Sequence, residues 1–285
     1  MNSNFEVHGK GNIASFESDT SAVILDSGID DGDIKKVINT LRDRNLAIKG
    51  ILLTHSHSDH SGGAFYAEKK GIMAYAHKTE AALIENGLAL GVMLSGFRDP
   101  EFASSKYVTP HSCRVMSLDE FQQIPDLPIE TVNLHGHTLG HVGYECGGFL
   151  YAGDSLFAEE VLEKHPIPYF LDYNGFKESL NKLEKYTGVI AVSHGGMLEN
   201  QRKTIAYNRE VLSDIEDFIR GRSERGASLD SIISSTMKHF MIRRDKLSYF
   251  IDSTTIKSIA FSLYQFEYRD GELFSTSTVL TSSHP

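Results

Sequence analysis

The chain has 285 residues, of which 40% are hydrophobic and 23% are charged, proportions typical of a soluble globular protein. Its formal net charge of −10 argues against broad electrostatic binding to nucleic acid or anionic lipid, and no run approaches the roughly 18 apolar residues of a membrane helix. The first residues lack the basic and apolar regions of a signal peptide, and two cysteines, Cys113 and Cys146, are too few for a disulfide framework. We therefore expect a cytoplasmic protein that binds neither membranes nor nucleic acid.

Strand-like and helix-like segments alternate through the first 200 residues. Ser21–Leu25 predicts a strand that ends at a turn, and Asp33–Arg42 has the apolar spacing of a helix with Asp33 as its expected N-cap. Gly87–Tyr107 has no clear period, which is typical of a loop or short helices covering a site. Further strands are predicted at Ile48–Leu53, Ile72–Ala76, Val115–Leu118, Ile129–Leu134, Val142–Cys146, Phe149–Ala152 and Val189–Val192, and further helices at Ser61–Lys70, Lys78–Glu85 and Phe176–Tyr186.

Beyond about Arg202 the pattern becomes mostly helical. Amphipathic helices are predicted at Thr204–Arg220, Leu229–Phe240 and Thr254–Tyr268, with a turn at Asp270-Gly271-Glu272. The sequence thus predicts an α/β domain over residues 1–203 and a mostly helical extension over residues 204–285.

The most informative segment is Thr54-His55-Ser56-His57-Ser58-Asp59-His60, which directly follows a predicted buried strand. It holds three imidazoles and a carboxylate within six positions, and these are ligand types of zinc and related cations. Desolvating so many polar groups in one place is costly unless a cation compensates them. The segment therefore predicts a metal site.

Three more polar clusters follow predicted strands. One is His135-Gly136-His137-Thr138-Leu139-Gly140-His141, a second is Gly153-Asp154-Ser155, and a third contains His194 within Ser193-His194-Gly195-Gly196. Each has a neighbouring glycine, which lets the backbone turn sharply and approach a ligand. Residue chemistry alone does not choose among His135, His137 and His141 as a ligand.

These four motifs, in this order over about residues 12–200, resemble the metallo-β-lactamase superfamily. The resemblance implies an αββα sandwich, in which two mixed sheets face each other, helices cover the outer faces, and a metal site lies at one edge. The extension is more faintly similar to the helical, winged-helix-like extensions of some superfamily hydrolases, through Thr254–Phe274. Packing or a dimer surface is the simpler interpretation of that extension.

The resemblance also implies a ligand set for two divalent cations. It assigns His55, His57 and His137 to the first ion, Asp59, His60 and His194 to the second, and Asp154 to a bridging position between them. His135 and His141 then remain as outer-sphere or structural groups. Zinc is the expected metal, although nitrogen and oxygen ligands of this kind also accept manganese or iron.

The expected chemistry is hydrolysis by a metal-bridging hydroxide, with Asp59 orienting the nucleophile. Lactam-hydrolysing branches often use a cysteine ligand, and no cysteine lies at a matched position here, whereas the Asp59-His60 pair resembles the glyoxalase II-like, lactonase and nuclease branches. The basic glutathione-binding residues of glyoxalase II have no match in Ser155–Glu160, which argues against a glutathione thioester. We therefore expect a thioester, lactone or related ester of a small molecule as substrate.

Several alternatives remain open at this point. The motif is shared by phosphodiesterases or ribonucleases of the superfamily and by mononuclear iron persulfide dioxygenases, and a protein that only binds a ligand is a further hypothesis. Tyr144 and Tyr169 either donate to an oxyanion or pack in the core. The sequence does not specify the substrate, the metal or the oligomeric state, so a homodimer remains open.

Overall fold

The computed structural model describes residues 4–9, 12–240 and 245–279. Its first half forms a six-stranded mixed sheet in the order β1 to β6, in which the first three strands are antiparallel and the later neighbours are parallel. The strands are β1 (Asn4–His8), β2 (Ile13–Glu17), β3 (Ser21–Leu25), β4 (Ala47–Leu52), β5 (Ala74–Ala76) and β6 (Val115–Ser117). The helices of this half are α1 (Asp31–Asp43), α2 (Ser58–Ser61), α3 (Ala64–Lys69), α4 (Lys78–Glu85), α5 (Gly87–Ser95) and α6 (Pro100–Ser104).

The next segment forms a five-stranded mixed sheet in the order β11-β10-β9-β8-β7. Its strands are β7 (Glu130–Asn133), β8 (Val142–Cys146), β9 (Phe149–Tyr151), β10 (Val189–Val192) and β11 (Gly196–Met197), and its helices are α7 (Glu159–Lys164) and α8 (Tyr173–Lys185). Only β9 and β10 pair in parallel, because α7 and α8 form the crossover between them.

Three hydrophobic clusters hold these layers together. Phe16 and Leu25 from the first sheet pack with Tyr144 and Tyr151 from the second, which places one core between the sheets. A second core lies between the first sheet and α1, α3 and α4, and a third lies between the second sheet and α8 with the helices beyond it. The predicted αββα sandwich is therefore confirmed.

The C-terminal part consists of α9 (Gln201–Ser223), α10 (Leu229–His239), α11 (Lys246–Leu263) and the hairpin β12 (Tyr264–Arg269) and β13 (Glu272–Val279). Ile215, Ile232 and Ile256 from its three helices share one core with Ile190 of β10, so this part packs directly on the second sheet. The division of the chain at residue 203 and the winged-helix likeness stay predictions.

Two predictions about individual elements were wrong. Asp30, not Asp33, caps α1, because its side chain accepts a hydrogen bond from the backbone of Gly32. The predicted helix over Thr254–Tyr268 ends at Leu263, and the chain then continues as β12. The aromatic residues of Tyr264–Arg269 favour a strand, and pairing with β13 stabilises it.

The loop that follows α2 needs a residue without a side chain. A Cβ atom at Gly63 would lie 2.2 Å from the carbonyl oxygen of Ser27. We expect Gly63→Ala to lower the free energy of unfolding by about 1–3 kcal/mol, because the added methyl group must displace backbone. Urea unfolding measures the change.

Gly221→Ala is the matched control, because this glycine lies in α9 and a Cβ there would meet no atom within 4 Å. It should leave stability unchanged or raise it by up to about 1 kcal/mol. Equal unfolding midpoints for the two variants would contradict the steric argument.

Candidate metal centre

The four polar motifs meet at one edge of the sandwich, because each follows the end of a strand. Thr54–His60 leaves β4, His135–His141 connects β7 with β8, Asp154 follows β9, and His194 follows β10. A tight turn places Asp154, since Gly153 has a φ of 55° and a Cβ there would lie 2.7 Å from the His141 ring. The loops of both sheets thus supply one cluster.

Three histidines form the first half of this cluster. Nδ1 of His57 lies 3.0 Å from Nε2 of His55 and 3.0 Å from Nε2 of His137. Two ligand atoms of one tetrahedral zinc ion at the usual bond lengths are separated by about 3.3 Å. The three nitrogens therefore have the spacing of ligands that share one cation.

Asp59, His60 and His194 form the second half, and Asp154 lies between the halves. Oδ2 of Asp59 is 3.0 Å from Nε2 of His194 and 3.6 Å from Nε2 of His60. Oδ2 of Asp154 is 3.5 Å from Nε2 of His60 and 3.7 Å from Nε2 of His137. Asp154 thus contacts a histidine of each half. We call these seven residues the metal-site cluster.

Hydrogen bonds from behind orient the histidines of the cluster. Asp26 accepts from Nδ1 of His60 at 2.8 Å and from the backbone and hydroxyl of Thr54, at 2.7 Å and 2.9 Å. The hydroxyl of Thr54 lies 3.0 Å from Nδ1 of His55. One buried carboxylate therefore fixes the tautomers of two histidines and leaves their Nε2 atoms facing the cluster.

A second carboxylate joins the two histidine-rich loops. Glu80, at the start of α4, accepts from the backbone of Ser56 at 2.9 Å and from the backbone of Gly140 at 2.8 Å. Sequence analysis did not single out Asp26 or Glu80 as functional residues. A carboxylate that immediately follows a buried strand, as Asp26 follows β3, is the signal that points to such a role.

His137 is held from the C-terminal side. Its Nδ1 donates to the carbonyl oxygen of Tyr169 at 2.8 Å. The hydroxyl of Thr255 in α11 accepts from the backbone of Phe170 at 3.2 Å and donates to the carbonyl of Pro168 at 2.9 Å. Helix α11 therefore holds the segment Pro168–Phe170 in place, and the carbonyl group of Tyr169 in this segment orients His137.

The structure separates the histidines and tyrosines that sequence left open. His141 is buried and accepts from the backbone N–H of Asp154 at 3.1 Å, so it positions that residue. His135 lies apart from the cluster and contacts Asn133. Tyr144 donates to the carbonyl of Leu53 in the core, whereas the Tyr169 ring lies 5.2 Å from the His57 ring.

The first three histidines are held in the form that metals require. Burial lowers the pKa of His55, His57 and His137, the last to about 3, and neighbouring imidazoles add to the effect at His55 and His137. Each of these rings is therefore neutral at physiological pH and offers a lone pair.

The other half of the cluster carries charge. Although burial opposes ionisation, His60 and His194 lower the pKa of Asp59 to about 2, and the same imidazoles with His137 lower the pKa of Asp154. Burial also opposes charge on His60, but the carboxylates around it raise its pKa. Within the described residues, neither carboxylate of the cluster forms an ion pair with lysine or arginine.

Unsatisfied atoms in the cluster show that its residues fit a bound cation. Nε2 of His60 and Oδ1 of Asp154 are buried without a hydrogen-bond partner among the described residues. By contrast, a second carboxylate–histidine group of Glu6, His8 and Glu17 is compensated by the guanidinium of Arg44. Five imidazoles and two carboxylates suit zinc, manganese or iron better than calcium or magnesium.

Two cavities meet at the metal-site cluster, and both are lined by Asp59, Tyr107 and His194. The hairpin-side cavity, of 760 Å³, lies between the β1–β2 hairpin and α1. The tail-side cavity, of 810 Å³, is lined by His57, His137 and Asp154 and by residues of α5, α7 and α11. The cluster is thus open to a ligand from two directions.

Comparison with known families agrees with this arrangement. The model of the metallo-beta-lactamase superfamily matches residues 9–195, which is well over half of the chain. The chain belongs to this superfamily. The matched range contains all seven residues of the metal-site cluster.

Curated relatives are similar over a shorter range. Two are named hydroxyacylglutathione hydrolase, from Shewanella oneidensis and Shewanella loihica, and share 28% and 33% identity with this superfamily member over 130 residues. Those residues are 46% of this chain and 43% and 42% of the two relatives, so the chain spans less than half of their length.

Solved structures extend the likeness to the C-terminal part. A metallo-beta-lactamase family protein from Thermus thermophilus has a TM-score of 0.66 at 16% identity and covers 92% of both chains. A beta-lactamase domain protein from Burkholderia ambifaria has a TM-score of 0.66 at 18% identity, over 92% of this chain and 87% of its own. These identities show a shared fold alone. Within the described ranges, no helix has the length and apolar character needed to cross a bilayer.

Replacing Asp26 tests the support beneath the cluster. In Asp26→Asn, an amide N–H₂ group in place of Oδ2 would face two donors, the His60 ring and the Thr54 hydroxyl. We expect metal affinity to fall by about 10–100-fold, as for other residues that orient metal ligands. Competition with a chromophoric chelator measures the affinity.

Asp43→Asn, an exposed position at the end of α1, is the control and should bind metal like the wild type. Unchanged affinity in Asp26→Asn would show that the histidines keep their orientation without this carboxylate.

Thr255→Val tests the link from α11 to His137. The change removes a hydroxyl that satisfies Phe170 and Pro168, and leaving buried backbone groups unpaired costs about 1–3 kcal/mol. We expect lower stability in urea and weaker binding of metal. Thr254→Val is the matched control, because the Thr254 hydroxyl bonds only within its helix, to Phe250. Identical behaviour of the two variants would disprove the link.

Proposed function

We propose that this protein is a dinuclear metal-dependent hydrolase that cleaves a thioester, lactone or related ester bond of a small molecule. The observation that carries the proposal is the metal-site cluster itself, in which buried, unsatisfied nitrogen and oxygen atoms lie at ligand spacing beside two cavities. Membership of the superfamily and the names of the curated relatives support it.

The proposed ligand set has two parts and one shared residue. His55, His57 and His137 hold the first ion, Asp59, His60 and His194 hold the second, and Asp154 contacts both, as its position between the halves suggests. We propose zinc for both ions, because neutral imidazoles and carboxylates form its usual ligand set.

The ions would supply two kinds of chemistry, polarisation of the carbonyl group and activation of water near neutral pH. The chain supplies the arrangement around them. Asp59 is ionised and lines both cavities, so its carboxylate can accept a hydrogen bond from an attacking water and orient it. Leu90, Phe157 and Ile167 line the tail-side cavity and limit the access of bulk water to the scissile bond.

The proposal favours a thioester but not a glutathione conjugate. The relatives named hydroxyacylglutathione hydrolase match less than half of their own length here. After Asp154, this chain continues to Glu159 and Glu160 in α7, and acidic side chains there disfavour the carboxylates of glutathione. A thiolate leaving group needs little protonation by a general acid. The cytoplasmic location stays a prediction from sequence.

His137→Ala and His135→Ala form a matched pair within one motif. We expect His137→Ala to reduce kcat/KM for thioesters by about 10³-fold or more, because several kcal/mol of transition-state stabilisation depend on the first ion. His135→Ala should retain the activity of the wild type, since His135 lies outside the cluster. Metal content by elemental analysis, on protein purified without added metal, should fall only in His137→Ala.

Two outcomes would contradict the hydrolase proposal. One iron per chain with oxygen-dependent turnover of a persulfide would indicate the dioxygenase alternative. Faster turnover of bis(p-nitrophenyl) phosphate or RNA than of any thioester or lactone would indicate a phosphodiesterase or ribonuclease.

A further inference from the structure

The tail-side cavity has mostly apolar walls from three separate elements. Leu94 comes from α5, Val161 and Leu162 from α7, and Leu247 and Ile251 from α11. Its volume of 810 Å³ lies within the range of about 300–1,000 Å³ that is typical of small-molecule sites. The walls therefore suit the hydrocarbon part of a substrate.

One carboxyl group interrupts these apolar walls. Asp252, on α11, lines the cavity and is only 7% exposed. Its Oδ2 atom has no hydrogen-bond partner in the part of the chain that the structure describes. Burial of a polar group without a partner costs free energy, so this carboxyl group is poorly satisfied in the free protein.

Among the described residues, no cationic side chain pairs with the carboxylate of Asp252. Asp245, seven residues earlier at the start of α11, adds a second negative charge. Lys246 turns to Asp99 and Glu101 instead. The cavity lining also includes Glu160, Lys164 and His165 of the α7 segment, all at least partly exposed, and Asp59 and Asp154 of the metal-site cluster.

We propose that Asp252 recognises a cationic amine group on a substrate whose apolar part packs against the walls of the tail-side cavity. This inference rests on the proposed function, because it names a class of substrate for the same site. An ammonium group is the ligand chemistry that satisfies a buried, unpartnered carboxylate in an otherwise apolar wall.

Because Asp252 titrates, binding of a cation should depend on pH. Burial, and to a smaller extent the charge of Asp245, raise the pKa of Asp252 to about 7. The carboxyl group is therefore mostly neutral at pH 6 and mostly ionised at pH 8. Since only the ionised form attracts a cation, binding should strengthen by about tenfold between these two pH values.

Calorimetric titration of the 285-residue chain tests the proposal without requiring turnover. The probe is hexylammonium, which combines an apolar chain with a cationic N–H donor that stays protonated from pH 6 to pH 8, and hexanoate serves as the anionic comparison. We expect the ammonium probe to bind more tightly than hexanoate at pH 8, and about tenfold more tightly at pH 8 than at pH 6.

Asp252→Asn should weaken binding of the ammonium probe at pH 8 by about tenfold and remove its pH dependence. Asp230→Asn, an exposed position on α10, is the matched control and should bind like the wild type. If Asp252→Asn fails to fold by circular dichroism, the pH dependence of the wild type decides. Tighter binding of hexanoate, or binding of the ammonium probe that is unaffected by pH and by Asp252→Asn, would overturn the proposal.

Turnover is a separate readout. Loss of hydrolysis for every thioester tested, with the binding pattern intact, would count against the hydrolase and leave the role of Asp252 supported. Hydrolysis of thioesters with no preference for a cationic substrate and no effect of Asp252→Asn on KM would support the hydrolase and count against the role of Asp252.

Discussion

The packing of five imidazoles and two carboxylates into one sheet edge is the constraint on which the rest of this site depends. The nitrogen and oxygen atoms lie 3.0 to 3.7 Å apart, and most are shielded from water. Such an arrangement is costly for a protein alone, because the neutral rings of His55, His57 and His137 face one another and buried polar atoms of His60 and Asp154 have no hydrogen-bond partner among the described residues. Divalent metal ions would remove this cost, so metal binding and the local fold are linked in a site of this kind.

The fold holds the cluster from two sides. Asp26, at the end of β3 in the first sheet, orients His60 and, through Thr54, His55. The carbonyl of Tyr169, in the segment beyond α7, orients His137, and α11 in turn fixes that segment through Thr255. Each half of the sandwich therefore contributes both ligands and the groups that aim them. The C-terminal part supports the site as well as covering the second sheet.

Helix α11 both supports the metal-site cluster and lines the tail-side cavity. The same helix that fixes Tyr169 also places Leu247, Ile251 and Asp252 in the wall of the tail-side cavity. The superfamily match ends at residue 195, before this helix begins. The metal-site cluster thus lies within the shared part of the chain, and the walls of the tail-side cavity come partly from outside it.

Much of the site was predictable from sequence because its residues are concentrated at strand ends. The strands Val142–Cys146 and Val189–Val192 have the predicted bounds, and the second is a continuous apolar run. The composition of the segment from His55 to His60, three histidines and one aspartate, is enough to predict a metal site. Residue chemistry alone could not show which of His135, His137 and His141 faces the cluster, because these histidines differ only in the path of the backbone between β7 and β8, and the choice of His137 came from the family resemblance.

Sequence by itself determined the ligand types and the alternation of strands and helices, since both are local properties of the chain. Tertiary structure alone decided where Asp26, Glu80, His141 and Asp252 lie and what they contact, because each depends on partners distant in the chain or on burial within a cavity. It also decided that Tyr264–Arg269 is a strand, since the preceding helical pattern continues through it and only pairing with β13 ends the helix at Leu263. Long-range contacts, which no local sequence pattern encodes, determine both the placement of these four residues and the strand at Tyr264–Arg269.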